Sequence, residues 1–289
     1  MRHRTKIARW AALAGLAFVA PSHASDHDDT NELKALMRHE ARITDLHVFT
    51  RGDRLVLSLC TNPTIPIGAT EYAFPADLTL RFAIDNDSAV HFDDPGDLAV
   101  FGGTIVTPEH IEEDIVFEIT FDKQKGPRLQ TRGLRGNADK EARFFSGLRD
   151  DPFIRGPRIG RNVAAVVIEL PLAAVLGTQS TLLVWATSKV PEIHGPVADL
   201  AGRSLRSQMP ENLALNTMHP RDHMQQLGVP PDVVIFDTER PCVFPNGRDL
   251  NDDVVTMVND ARILANDAPF PTANDVPFLN TFPYLAPPQ

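Results

Sequence analysis

Val163-Ala164-Ala165-Val166-Val167-Ile168-Glu169-Leu170 is the stretch that decides the fold class. It is almost continuously apolar, rich in β-branched residues and closed by Pro171, which at this length predicts a buried strand. The longer stretch containing it, residues 163–183, carries Glu169, Pro171 and Gln179, so no membrane span is expected there.

Outward from that stretch, Val48-Phe49, Leu55-Val56-Leu57-Ser58-Leu59-Cys60 and residues 78–84, 89–92, 115–121 and 181–187 share the same character. Each is β-branched or aromatic and bordered by Gly, Pro, Asn or Asp. Together they predict a mainly β fold: an antiparallel, β-sandwich-like core with long loops and a few short helices. Asp85-Asn86-Asp87-Ser88 falls between two of these runs and predicts a hairpin turn, because Asx side chains bond their own backbone and tolerate positive φ. Helical spacing occurs at residues 31–42, with Leu33, Leu36, Met37 and Ala41 on one face. It recurs near the end of the sequence at 252–265, with Val254, Val258, Ala261 and Ala265 on one face and Asn251 as N-cap. Residues 123–143, rich in Gly and charge, and 190–231, rich in Pro, Asn and His, predict loop-rich insertions, either over one domain spanning 25–289 or as a second lobe. The proline-rich stretch from Ala268 is the segment whose composition comes nearest to disorder.

Export is expected from the first 24 residues. Arg2, Arg4, Lys6 and Arg9 give a positive start, residues 10–20 form an apolar stretch, and Ser22-His23-Ala24 offers small residues to a signal peptidase. The alternative, a permanent anchor, needs roughly 20 apolar residues. The working chain is then expected to begin at Ser25, in the periplasm or the medium. Loss of the leader removes only cations and makes the net charge still more negative than −10. Nucleic acid and anionic membranes are therefore unexpected partners, whereas cations are plausible ones. In an oxidising compartment Cys60 and Cys242 can close one long-range disulfide, and two separate buried thiols is the alternative.

The motifs of known chemistry are missing: no Gly-x-Ser-x-Gly elbow, phosphate loop, Cys-x-x-Cys or His-Glu-x-x-His occurs. Asp85, Asp87, Asp93 and Asp94 suggest a calcium loop, but Val90 and Gly96 occupy the sixth and twelfth positions. An EF-hand is excluded, leaving a looser carboxylate site or a solvated turn. Asp150, Asp151, Asp249, Asp252 and Asp253 form a candidate carboxylate cluster for calcium or acid–base work, or else an Arg–Asp network with Arg149 and Arg248 plus a helix cap. His219 and His223 are four apart, on one helix face, with Pro220 suited to the first helical position. Two imidazoles are too few for a metal site. Cleavage after Ala24 would leave Ser25-Asp26-His27, whose terminal amine, amides and imidazole suit planar copper(II) or nickel(II); a terminus that merely carries His is the alternative.

Several of these stretches resemble a secreted bacterial family known as domain of unknown function 4331. They are Thr44-Asp45-Leu46-His47-Val48-Phe49, Ile84-Asp85-Asn86-Asp87, residues 145–153 (Phe145-Ser146-Gly147 through Asp150-Asp151-Pro152-Phe153), Gly160-Arg161-Asn162-Val163, Phe244-Pro245-Asn246-Gly247-Arg248 and Phe282-Pro283-Tyr284-Leu285. Ser25-Asp26-His27 stands where that family opens, with Asp28 and Asp29 in place of its Arg and Glu. The resemblance implies export and a β-rich fold, and no active-site set. Two classes of function follow. One is an exported, non-enzymatic protein that binds a divalent metal ion, a glycan or another protein. The other is a hydrolase built on the carboxylates, acting on glycans with calcium, for which Trp185, Tyr72 and Tyr284 are the aromatic platforms.

Overall fold

The structure, a computed structural model, describes residues 27–154, 161–258 and 273–289. The expected leader, Ser25, Asp26 and much of the expected helix at 252–265 lie outside the described residues. Thr30 caps α1 (Asn31–Leu36) through its Oγ1, and Met37, at φ 54°, ends it, so the helical face expected to reach residue 42 stops early. The β1 (Ile43–Arg51) and β2 (Arg54–Ile65) strands form a hairpin about Gly52. β3 (Thr79–Asp85) is followed by an excursion containing β4 (Val90–His91), α2 (Pro95–Phe101) and β5 (Thr104–Ile105). Then come β6 (Ile115–Asp122), β7 (Gly126–Arg132), α3 (Ala138–Glu141), β8 (Arg143–Asp150), β9 (Asn162–Pro171) and β10 (Thr181–Lys189). The remainder comprises β11 (Asp199–Ala201), α4 (Pro220–Leu227), β12 (Val234–Asp237) and α5 (Val254–Val258).

Two antiparallel sheets carry the core. Sheet I has the order β1-β2-β9-β8; sheet II has the order β11-β10-β3-β6-β7, and β12 pairs β10 beside β11. Side chains alternate across each strand. Leu55, Leu57 and Leu59 of β2 and Val166 and Ile168 of β9 thus face Phe82, Ile84, Phe117 and Val184 of sheet II in one apolar layer. The mainly β, sandwich-like expectation holds. The outer face of sheet I is also covered, and that of sheet II is covered around β10 and β12. On sheet I, Val56, Cys60, Val163, Ala165 and Val167 lie under Leu250, Tyr284 and Leu285. On sheet II, Trp185, Leu183 and Ile235 lie under Ile111, with Val90, Phe92 and Ile105 packed against them. A strand buried on both sides has no polar face to show, which is why residues 163–170 read as a continuous apolar run.

Four expectations need correction. The 123–143 segment is not simply a loop: it supplies β7, an edge strand of sheet II that shows Arg128, Gln130 and Arg132 where apolar alternation was sought. The 190–231 segment supplies β11 and α4, and β11 joins sheet II. The Asp85–Ser88 turn exists, but its flanking strands are not hairpin partners; β3 pairs β6 and β10, and β4 pairs β5. Residues 273–289 are ordered over sheet I, with Asp150 N donating to Ala286 O (3.2 Å) and Gly68 N to Gln289 O (2.7 Å). No helix among the described residues is long and apolar enough to cross a membrane.

Candidate functional site

Pairing of β3 with β6 sets Ile84 opposite Ile115. Asp85, at the end of β3, and Asp114, just before β6, are thereby brought to one end of sheet II. Asp87 joins them from the turn, and ligand oxygens of all three lie within 4.8 Å of one another. Asp85 is buried and organises the loop. Its Oδ1 accepts from Ser88 N (2.9 Å) and Asp87 N (3.2 Å), while its Oδ2 accepts from Ser88 Oγ (2.7 Å) and Glu112 N (3.1 Å). Asp114 Oδ2 accepts from Asn86 N (3.0 Å), and Asn86 Nδ2 ties the turn to Val175 O (2.8 Å). Gly177 is required beside it, since a Cβ there would stand 1.8 Å from Asn86 O. Burial raises the Asp114 carboxyl above its ordinary range, and the charges of Asp87, Asp85 and Glu112 add to that against the Asn86 N–H. Among the described residues no Lys or Arg forms an ion pair with these three carboxylates. An oxygen-only, uncompensated set is what a hard cation such as calcium selects. Asp94 is not part of it: its Oδ1 caps α2 at Gly96 N and Asp97 N.

The second carboxylate cluster is divided among structural duties. Asp150 accepts from Asn274 Nδ2 and Gln289 Nε2, both at 2.8 Å, and burial pushes its carboxyl up to about 6. Asp151 pairs with Arg161 and accepts from Phe153 N. Asp249 meets Arg51 Nη1 at 2.6 Å; burial pushes its carboxyl up, but Arg51 and Asn251 outweigh it and leave the carboxyl below its ordinary range. Asp252 Oδ2 accepts from Phe244 N and Asp249 N, and Asp253 accepts from Thr256 at the start of α5. The partners differ from those expected. Arg149 lies over the Phe145 ring at 4.0 Å, and Arg248 pairs with Asp45.

The remaining candidates serve the fold. His27 is buried, with Nε2 2.8 Å from Asp199 Oδ1 and Nδ1 3.0 Å from Ser207 Oγ, so both ring nitrogens already have partners. His219 caps α4 and packs edge-on against Trp185; His223 accepts from Asp232 N and reaches Leu215 O. Cys60 and Cys242 are free thiols, a correction to the disulfide reading. Cys60 stands opposite Asp45, whereas Cys242 Sγ lies 3.6 Å from Val48 O, three residues farther along β1. Trp185 and Tyr284 are buried, which removes two of the three platforms for a glycan.

Of the stretches singled out in the sequence, those at 44–49, 145–150 and 162–163 lie in sheet I and that at 282–285 in the segment covering it. Arg248 reaches Asp45, and Asn246 bonds Asp237, Arg240 and Pro241 around Gly247 at φ 72°. Arg161 holds Asp151, Asn162 bonds Gln289 O (2.9 Å), and Tyr284 Oη donates to Glu169. These are ties between strands and the covering segments. Asp114 was missed from the sequence; its signal was the Glu112-Glu113-Asp114 run ahead of a strand. No family model, curated protein or solved structure matches the chain.

Proposed function

We propose that this is an exported, non-enzymatic binding protein, and that Asp85, Asp87 and Asp114 take a divalent cation, calcium in particular. The carrying observation is the meeting of three carboxylates, from two loop ends, without a cationic side chain. A bound dication would offset their mutual repulsion and lock the turn that leads into the β4–α2–β5 excursion. The charge balance and the expected leader agree with an extracytoplasmic ligand of positive charge. The hydrolase reading has less support, because Asp150, Asp151, Asp249, Asp252 and Asp253 each hold a backbone amide, an amide side chain or an arginine.

Calorimetric titration of calcium into chelator-treated protein tests the proposal. One site is expected in the wild type and a much weaker one in Asp87→Ala, whose side chain is exposed. Equal heats from both proteins would reject the site. Mass spectrometry of the exported fraction is expected to give a chain starting at Ser25; recovery only of the unprocessed chain inside the cell would reject export.

A further inference from the structure

A cavity of about 400 Å³ opens between α2, the 203–206 turn and α5. That is within the roughly 300–1,000 Å³ of small-molecule sites. Its walls combine Phe101, Met209, Val229 and Met257 with two arginines, Arg203 and Arg206. Both arginines are buried, at 6% and 7% exposure, and among the described residues neither has an ion-pair partner. Arg203 Nη2 donates to Ala99 O (2.7 Å) and Arg206 Nη2 to Pro230 O (3.0 Å). The guanidinium of Arg203 rests on the Phe244 ring at 4.5 Å, and that of Arg206 on Phe101 at 4.8 Å. Arg206 Nη1 is buried and has no hydrogen-bond partner among the described residues. Asp232 is the acid whose charge reaches both, yet its Oδ1 is taken by Arg203 N (2.8 Å) and it forms an ion pair with neither.

Removing a cation from water costs several kcal/mol unless a partner compensates it. Stacking on aromatic faces returns only part of that cost. Burial, and then the neighbouring Arg206 charge, push the Arg203 guanidinium down to about 9, which still leaves it charged at neutral pH. Among the described residues no carboxylate closes on either guanidinium, although the sequence as a whole is acidic. The backbone is also held in a costly form here. Leu205, between the two arginines, lies at φ 67°, a region that bulky residues occupy only when their surroundings force them. Gly102 lets Arg203 pass close by, since a Cβ there would meet Arg203 Nη1 at 2.9 Å. The opposite wall is open to solvent at Val100 and Met257, 55% and 44% exposed.

We propose that this cavity binds a small aliphatic monocarboxylate, with its carboxylate on Arg206 and Arg203 and its alkyl chain along Phe101, Met209 and Met257. A carboxylate accepts from the unpartnered Nη1 and supplies the missing counter-charge, and the apolar walls take up the chain. A compact polyanion would leave those walls bare. This site is independent of the carboxylate loop at Asp85.

Calorimetric titration of the intact protein with sodium octanoate, 1-octanol and sodium acetate tests the assignment. Octanoate is expected to bind, and 1-octanol and acetate to bind more weakly by about tenfold or more. Arg206→Met keeps the apolar volume and removes the charge, a change that buried sites commonly tolerate. It is expected to weaken octanoate by about tenfold or more and to leave 1-octanol unchanged. Met257→Glu, on the exposed rim, is expected to weaken octanoate by repulsion and decides the matter if Arg206→Met does not fold. No binding of octanoate, equal binding of octanoate and 1-octanol, or octanoate binding unchanged in Met257→Glu would each overturn the proposal.

Discussion

Arg248 Nη2 lies 3.0 Å from Asp45 Oδ1, and both side chains are buried, at 2% and 0% exposure. The pair joins the edge strand of sheet I to a segment two hundred residues later, and backbone bonds flank it: Arg248 N donates to Val48 O (2.8 Å) and Val48 N to Arg248 O (3.1 Å). Removing one partner strands the other charge in the interior. Arg248→Ala is therefore expected to cost about 3–5 kcal/mol in urea unfolding. The double change Asp45→Leu with Arg248→Met is expected to recover much of that loss, and a strictly additive pair would contradict the coupling.

His27 is expected to serve packing. With one ring nitrogen on Asp199 and the other on Ser207, His27→Ala should lower unfolding free energy by roughly 1–3 kcal/mol. Copper(II) added to the mature protein should then give the same spectrum with and without His27. A visible band that vanishes in the variant would restore the metal role considered for Ser25, Asp26 and His27.

Strands with both faces buried were legible in the sequence, since Val163 to Leu170 and Leu55 to Cys60 have no alternative to the interior. The edge strands β7 and β8 were not. In β7, Arg128, Gln130 and Arg132 point to water, and in β8 Arg143, Ser146 and Arg149 interrupt the pattern, so only pairing with β6 and β9 reveals them. The carboxylate loop was half legible: Asp85 and Asp87 stand together in the sequence, but Asp114 reaches them only through the β3–β6 register. Arg203 and Arg206 were invisible, because charge in a loop-rich stretch ordinarily means solvent, and their burial depends on α2 and α5 arriving from elsewhere.

Asp150 makes stability depend on pH with a definite sign. Its carboxyl titrates near 6 in the folded chain because burial outweighs the Asn274 and Gln289 amides, against an ordinary value of 3.8. The folded state thus holds a proton that the unfolded state releases between those values. The stabilisation is complete below the unfolded value and is lost as pH rises through about 6. Asp150→Asn is expected to flatten the fall in melting temperature between about pH 4 and pH 7. A variant with the wild-type slope would assign the dependence to other groups.

Glu169 is held by Arg54 Nε (2.6 Å), Arg143 Nη1 (3.2 Å) and the Tyr284 hydroxyl, and so locks the 273–289 segment onto sheet I. Tyr284→Phe is expected to cost roughly 1–3 kcal/mol by stripping a buried carboxylate of one donor. Hydrogen exchange should quicken at Ala286 and Gln289 more than at β3. Uniform loss of protection across both sheets would argue against a local lock.

The cation site is open to a direct measurement: the melting temperature of chelator-treated protein across a calcium series, with magnesium in parallel. A saturable rise is expected with calcium, smaller with magnesium, which tolerates a loose oxygen cage poorly. The rise should disappear in Asp87→Ala combined with Asp114→Asn. A melting temperature indifferent to calcium, or a rise that survives in the double variant, would contradict cation binding at Asp85, Asp87 and Asp114.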